Sequence, residues 1–193
     1  MVEEWGWREE DFGFRGRYPS PKIQNPNPST LLLTHSRCAM PTTPTTLTIR
    51  GALPRGVTAT EIRVLAAAAF RRAGGRGSAE ISLSIITDAA MRTLNRRHRG
   101  KDATTDVLSF SYDGARDFVQ PPKSATHNLG DVFISLPQVR RQAKRIDRTV
   151  REEFALMVVH GVLHLMGFDH ATPSQERTMF GLQQEILMRS GFF

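Results

Sequence analysis

From residue 45 onward the sequence predicts a single α+β domain, a small mixed sheet of about four strands packed against several helices. Three observations carry this expectation. Short β-branched runs alternate with helical patterns as far as residue 135, the last third of the chain is helical in pattern throughout, and the longer helices open on recognisable caps. No repeat interrupts that order, and no stretch approaches the roughly 18 apolar residues that a membrane-spanning helix needs.

Taken in order, Leu47 to Arg50 alternates as a short strand. Thr58 and Glu61 form a capping box ahead of a helix through IRVLAAAAFRR, and Ile81 to Ile86 is a second strand. Thr87 and Asp88 open a second helix, which carries Met91 and Leu94 on its inner face and runs out in RRHRGK at Gly100. Two further strands are expected, Val107 to Tyr112 and Asp131 to Ser135, separated by the Pro, Gly and Asn-containing stretch between them. Three helices follow: Pro137 to Arg145, Thr149 to Met166 on a box with Glu152, and Thr172 to Arg189 with Pro173 in its first turn. Core positions are expected at Phe154, Met157, Val158, Leu163, Leu165 and Met166, and in the last helix at Met179, Phe180, Leu182, Ile186 and Leu187.

Residues 1 to 44 show no sustained apolar period, contain PSPKIQNPNPS and close on PTTPTT, so a flexible extension is expected there. The acidic opening MVEEWGWREED fits neither a secretory signal nor a mitochondrial transit peptide, and the break in composition makes Met40 a candidate start. The extension has five basic and five acidic residues, so the net charge of +7 falls wholly in residues 45 to 193. Only Lys22, Lys101, Lys123 and Lys144 are lysines; the other 22 of the 26 cations are arginines, whose planar fork suits bidentate phosphate contact. The balance favours an anionic partner such as nucleic acid. A lone cysteine, Cys38, makes neither an intramolecular disulfide nor a thiolate cluster, as expected of a cytosolic protein, and leaves His and carboxylate as the available metal ligands.

Three of the six histidines fall in HGVLHLMGFDH, residues 160 to 170. His160 and His164 are four residues apart, so on an α-helix they project from one face and can share a metal ion. Gly167 is placed to stop that helix, and the reversing chain brings His170 back as a third ligand, with a fourth position open to water. Asp169 is either a fourth ligand or, the better reading, an acceptor for a ligand imidazole or the loop backbone. The spacing matches the long zinc-protease signature, except that Gly161 stands where a peptidase has its general-base Glu. Without that carboxylate the chemistry must use another base or the substrate's own nucleophile, and RNA carries a 2′-hydroxyl.

The string resembles the HGxLHLxGxDH signature of the bacterial YbeY family, endoribonucleases that act as rRNA maturation factors. LNRRHRGKDATTDVLSF (94 to 110) is similar to the family's LNxxYRxxDxxTDVLSF, with His98 where tyrosine is more usual, and LGDVFIS (129 to 135) resembles its LGDIxIS strand. The resemblance covers about Thr45 to Gly191 in order. The resemblance implies a single-strand-specific endoribonuclease acting on the 16S rRNA 3′ end and in ribosome quality control, in the cytoplasm, with single-stranded RNA and the ribosome as partners and neither DNA nor membrane involved. It implies one zinc ion on His160, His164 and His170, and Arg99 and His164 as catalytic residues. An arginine suits that place because its guanidinium holds a phosphodiester and offsets charge growing in the transition state. Arg96, Arg97 and Lys101, and Arg140, Arg141, Lys144 and Arg145, are expected to give phosphate contacts without sequence choice. Asp106 either caps the strand entry or orients Arg99. Rival readings are a metal-dependent hydrolase of peptides or small molecules, and a non-catalytic ribosome-binding protein with structural zinc. Three imidazoles also accept Ni, Co or Cu, so zinc is chosen on availability and geometry. Both water and the 2′-hydroxyl stand open as nucleophile.

Overall fold

The computed structural model describes residues 45–112 and 126–193. The expected N-terminal extension and the possible start at Met40 lie outside those residues. The described chain runs β1 (Thr45–Arg50), α1 (Ala59–Arg72), β2 (Ala79–Ile86), α2 (Asp88–Arg99), β3 (Val107–Ser111), β4 (His127–Ser135), α3 (Leu136–Arg145), α4 (Val150–Leu165) and α5 (Pro173–Arg189). The strands form one mixed sheet in the order β1-β2-β4-β3, with β1-β2 and β2-β4 parallel and β3 antiparallel to β4. The expected α+β fold with a four-stranded mixed sheet is the one observed.

α4 is the axis of the domain. Every residue from Glu153 to Leu163 is buried, as an almost all-round apolar helix requires, and α1, α3, α5, β3 and β4 all pack against it. The sheet turns one face toward α4, with Leu47, Ile81, Leu83, Val132 and Ile134 in the common core. Successive strand residues point to opposite faces, so Phe110 and Phe133 lie on the other side. There α2 crosses, its His98 ring 4.9 Å from Phe110 and its Asp88 accepting a hydrogen bond from the Ser135 hydroxyl at 2.6 Å.

The helix starts follow the expected chemistry. Thr58 with Glu61 and Thr149 with Glu152 close reciprocal capping boxes, Thr172 closes a third with Gln175, and Thr87 caps α2. β4 begins four residues earlier than expected. Gly130 reads as a breaker, but an irregularity in register between Glu80 and Ile81 absorbs it and pairing continues back to His127. α2 also buries Asn95, whose amide donates to the Ala103 carbonyl at 2.8 Å and fastens the loop after the helix. Leu94, expected on the inner face, is only half-buried, as are Met166 and Leu182 against the edge of the core.

Candidate metal centre

The last turns of α4 carry His160 and His164, and the loop to α5 carries His170. Each offers one ring nitrogen, and these nitrogens lie within 4.8 Å of one another. His160 Nε2 and His164 Nε2 are 3.0 Å apart, close to the roughly 3.3 Å separating two nitrogens on a tetrahedral zinc ion with ordinary bond lengths. The reversal that recruits His170 runs through Gly167, at φ +82° in the left-handed region, where a residue with a Cβ is strained.

Gly161, between the two helical histidines, is fixed by packing. A Cβ there would sit 2.6 Å from Val132 Cγ1 and 3.2 Å from Ser109 Oγ, so α4 lies against the sheet at this turn. Ser109 donates to the Gly161 carbonyl at 3.3 Å, tying β3 to the same turn. The position that bears the base in a peptidase is therefore shut against β3 and β4.

Proton accounting favours neutral imidazoles. Burial, then the charges of His164 and His170, push the His160 pKa well below its usual range. Burial and the His170 charge push His164 down to about 4, against the opposing pull of Asp169. His160 Nδ1 lies 3.1 Å from Gln183 Oε1. An amide oxygen only accepts, so the Nδ1 proton is committed to Gln183 and Nε2 keeps its lone pair toward His164. His164 engages the Phe168 backbone by a hydrogen bond that favours its protonated form; with that proton on its other nitrogen, two lone-pair nitrogens stand 3.0 Å apart, which a shared cation satisfies, and this donor set fits zinc.

Gln183 was not expected, though a glutamine within the apolar stripe Met179, Gln183, Ile186 is a visible anomaly in sequence. Phe180, expected as core, is half-buried with its ring 5.3 Å from that of His170, so it walls the cluster. Asp169 takes the loop-backbone option, accepting from the His170 amide at 2.6 Å, and is not in the three-histidine group.

Arg99 ends α2, immediately before Gly100 in the left-handed cap conformation. Its Nε and Nη2 are buried without a hydrogen-bond partner among the described residues, and desolvation lowers its pKa. Its neighbour His98 packs on Phe110 of β3, while Ser109 and Ser111 of that strand contact α4 at Gly161 and Leu165. β3 thus links the end of α2 to the histidine-bearing turns. Asp106 does not orient Arg99; its Oδ1 accepts from the Val107 amide at 2.8 Å and the Thr105 hydroxyl at 3.1 Å, the strand-entry role. Asp106 is fully buried and burial raises its pKa. Arg96, Arg97 and Lys101 are exposed beside Arg99 in sequence, and Arg140, Arg141, Lys144 and Arg145 are exposed on α3.

A family profile described as endoribonuclease YbeY matches residues 56–191. The endoribonuclease YbeY of Halalkalibacterium halodurans is 41% identical over 118 residues, 60% of this chain and 74% of that protein. That of Persephonella marina is 45% identical over 108 residues, 55% of this chain and 67% of its own. That of Anaeromyxobacter sp. is 42% identical over 138 residues, 72% of this chain and 68% of its own. A solution structure of TM1509 from Thermotoga maritima aligns with a TM-score of 0.49 and 22% identity, covering 75% of this chain and 89% of that one. The profile begins just before α1 and ends just past α5, so the match takes in the body of the fold as well as the histidine string, and the chain belongs to the endoribonuclease YbeY family.

Proposed function

We propose that this chain is a zinc-dependent endoribonuclease that cuts single-stranded RNA, at the 3′ end of 16S rRNA and in ribosome quality control, with the ribosome as its working partner in the cytoplasm. Residues 45–193 form the endoribonuclease domain. The observation that carries the reading is the convergence of His160, His164 and His170, all within reach of one ion.

His160, His164 and His170 hold the ion, and because burial keeps His160 and His164 neutral, no proton need leave those two rings at pH 7. When bound, the ion supplies Lewis-acid polarisation of a phosphoryl oxygen. Arg99 takes the phosphodiester. Two buried guanidinium nitrogens, Nε and Nη2, without a hydrogen-bond partner among the described residues are costly, and a bidentate phosphate contact relieves that cost. As negative charge grows on the phosphorus oxygens, the same fork tightens on it, so Arg99 favours the transition state over the ground state. Phe180 beside His170 and the packing of Gly161 on β4 keep bulk water from the inner side of the site.

The rival peptidase reading needs a base where Gly161 is, and the contact with Val132 leaves no room for one. A structural zinc site ordinarily closes with four protein ligands, and this cluster has three. The test is incubation of purified protein with a labelled single-stranded rRNA fragment, with and without chelator and with zinc restored. Cutting that stops on chelation and returns with zinc supports the reading; cutting indifferent to chelation contradicts it.

A further inference from the structure

α3 reads LPQVRRQAKR and contains no acidic residue. Leu136, Val139, Gln142 and Ala143 face inward, and all four exposed positions, Arg140, Arg141, Lys144 and Arg145, are cations. A helix face that merely meets water usually pairs opposite charges at i and i+4. Here both such pairs, Arg140 with Lys144 and Arg141 with Arg145, are like-charged and repel. Arg141 has a partner in Asp88 of α2, at 2.7 Å. Arg140, Lys144 and Arg145 have no ion-pair partner among the described residues, whereas Glu61, Asp102, Glu153 and Glu185 are each engaged by an arginine elsewhere. The spare positive charge of the domain therefore gathers in part on this face.

The stripe is remote from the histidines. Gln142 on the inner side of α3 lies beside Glu153 near the start of α4, and His160 and His164 follow seven and eleven residues later, roughly 10 to 17 Å along the helix axis. None of the exposed side chains of α3 is aromatic or aliphatic, so the face lacks the apolar anchors on which protein partners depend. Arginine forks in a row match a chain of phosphates.

We propose that the exposed face of α3 is an exosite for the RNA backbone, holding phosphates several nucleotides from the bond that is cut. The inference rests on the endoribonuclease reading and adds a length requirement to it: short RNA reaches the histidines alone, and longer RNA reaches both sites.

The test uses the full chain, chelated so that bound RNA is not cut, and fluorescence anisotropy with single-stranded RNAs of about 3 and about 24 nucleotides over a salt series. The parent is expected to bind the long RNA more tightly and with the steeper salt dependence. The R140Q/K144Q/R145Q variant, whose changes are all exposed and whose melting curve is recorded beside the parent's, is expected to lose long-RNA affinity by on the order of tenfold relative to short RNA. Its salt slope for the long RNA should fall by about 2, three contacts at about 0.7 each. Equal ratios in parent and variant, or equal parent affinity for both lengths, overturn the exosite and leave the face to an acidic protein surface or to solvent. Metal-dependent cutting of the short RNA in the same preparations separates failure of the exosite from failure of the endoribonuclease reading.

Discussion

The Nδ1 proton of His160 goes to Gln183, and that bond decides which nitrogen of the ring faces His164 and His170. A partner that fixes a ligand's tautomer commonly contributes 10 to 100-fold in metal affinity. Gln183→Leu, similar in volume and unable to accept, is therefore expected to weaken zinc binding by roughly tenfold or more in chelator competition. Unchanged affinity would show that His160 orients itself without help. At this scale the sequence is informative where the geometry is local: the three histidines and the glycine stop span eleven residues, helix periodicity joins the first two, and the reversal at Gly167 adds His170. Gln183 is 23 residues from its partner, and only the packing of α5 on α4 joins them. Phe180 packs against the core as expected and also sets its ring beside His170, a neighbour that apolar spacing alone does not name.

Among the elements, α4 has two tasks that conflict: it must pack on all sides and also present polar ligands. It resolves them lengthwise, with the apolar run from Phe154 to Val159 packing its middle turns and the histidines confined to its last two. Gly161 is where the ligand-bearing turn touches the sheet. In Gly161→Ala the helix gains up to about 1 kcal/mol in propensity, but the new methyl meets the stiff Val132 side chain, and overpacking costs about 1 to 3 kcal/mol. The second effect wins, so thermal unfolding should show a net loss on the order of 1 kcal/mol; a net gain would mean the contact relaxes freely. Element boundaries were largely legible because caps are local, as at Thr58, Thr87, Thr149 and Thr172. The early start of β4 was not, because strand pairing depends on β2, more than forty residues away in sequence.

At the scale of the whole molecule, the buried titratable groups pull stability in opposite directions. His164 titrates at about 4 in the folded protein against 6.5 ordinarily. Between those values the unfolded chain takes up a proton that the metal-free fold refuses, so this contribution is complete above pH 6.5 and is lost as pH falls toward 4. The shift corresponds to about 3 kcal/mol at most. Asp106 and Glu153 act with the opposite sign: burial raises both, so acid relieves their desolvation. The measurement is therefore the difference between metal-free parent and His164→Gln, in which the carboxyl contributions cancel. The parent should lose stability relative to the variant as pH drops from 6.5 to 4, and a flat difference would contradict the burial of a neutral His164.

The cationic excess of residues 45 to 193 and the Nε and Nη2 of Arg99, without a hydrogen-bond partner among the described residues, both anticipate an anionic substrate, which the three histidines alone do not specify. The central claim joins these features: the histidine cluster and Arg99 serve one reaction on RNA. The most direct test is a side-by-side cleavage assay on a labelled single-stranded rRNA fragment with parent, His164→Ala and Arg99→Ala, each checked for folding by circular dichroism. Both variants are expected to stay folded, His164→Ala to lose bound metal and cutting together, and Arg99→Ala to keep its metal while cutting falls by roughly 100-fold or more, as for loss of a transition-state charge partner. Folded variants that cut as fast as the parent would contradict the account.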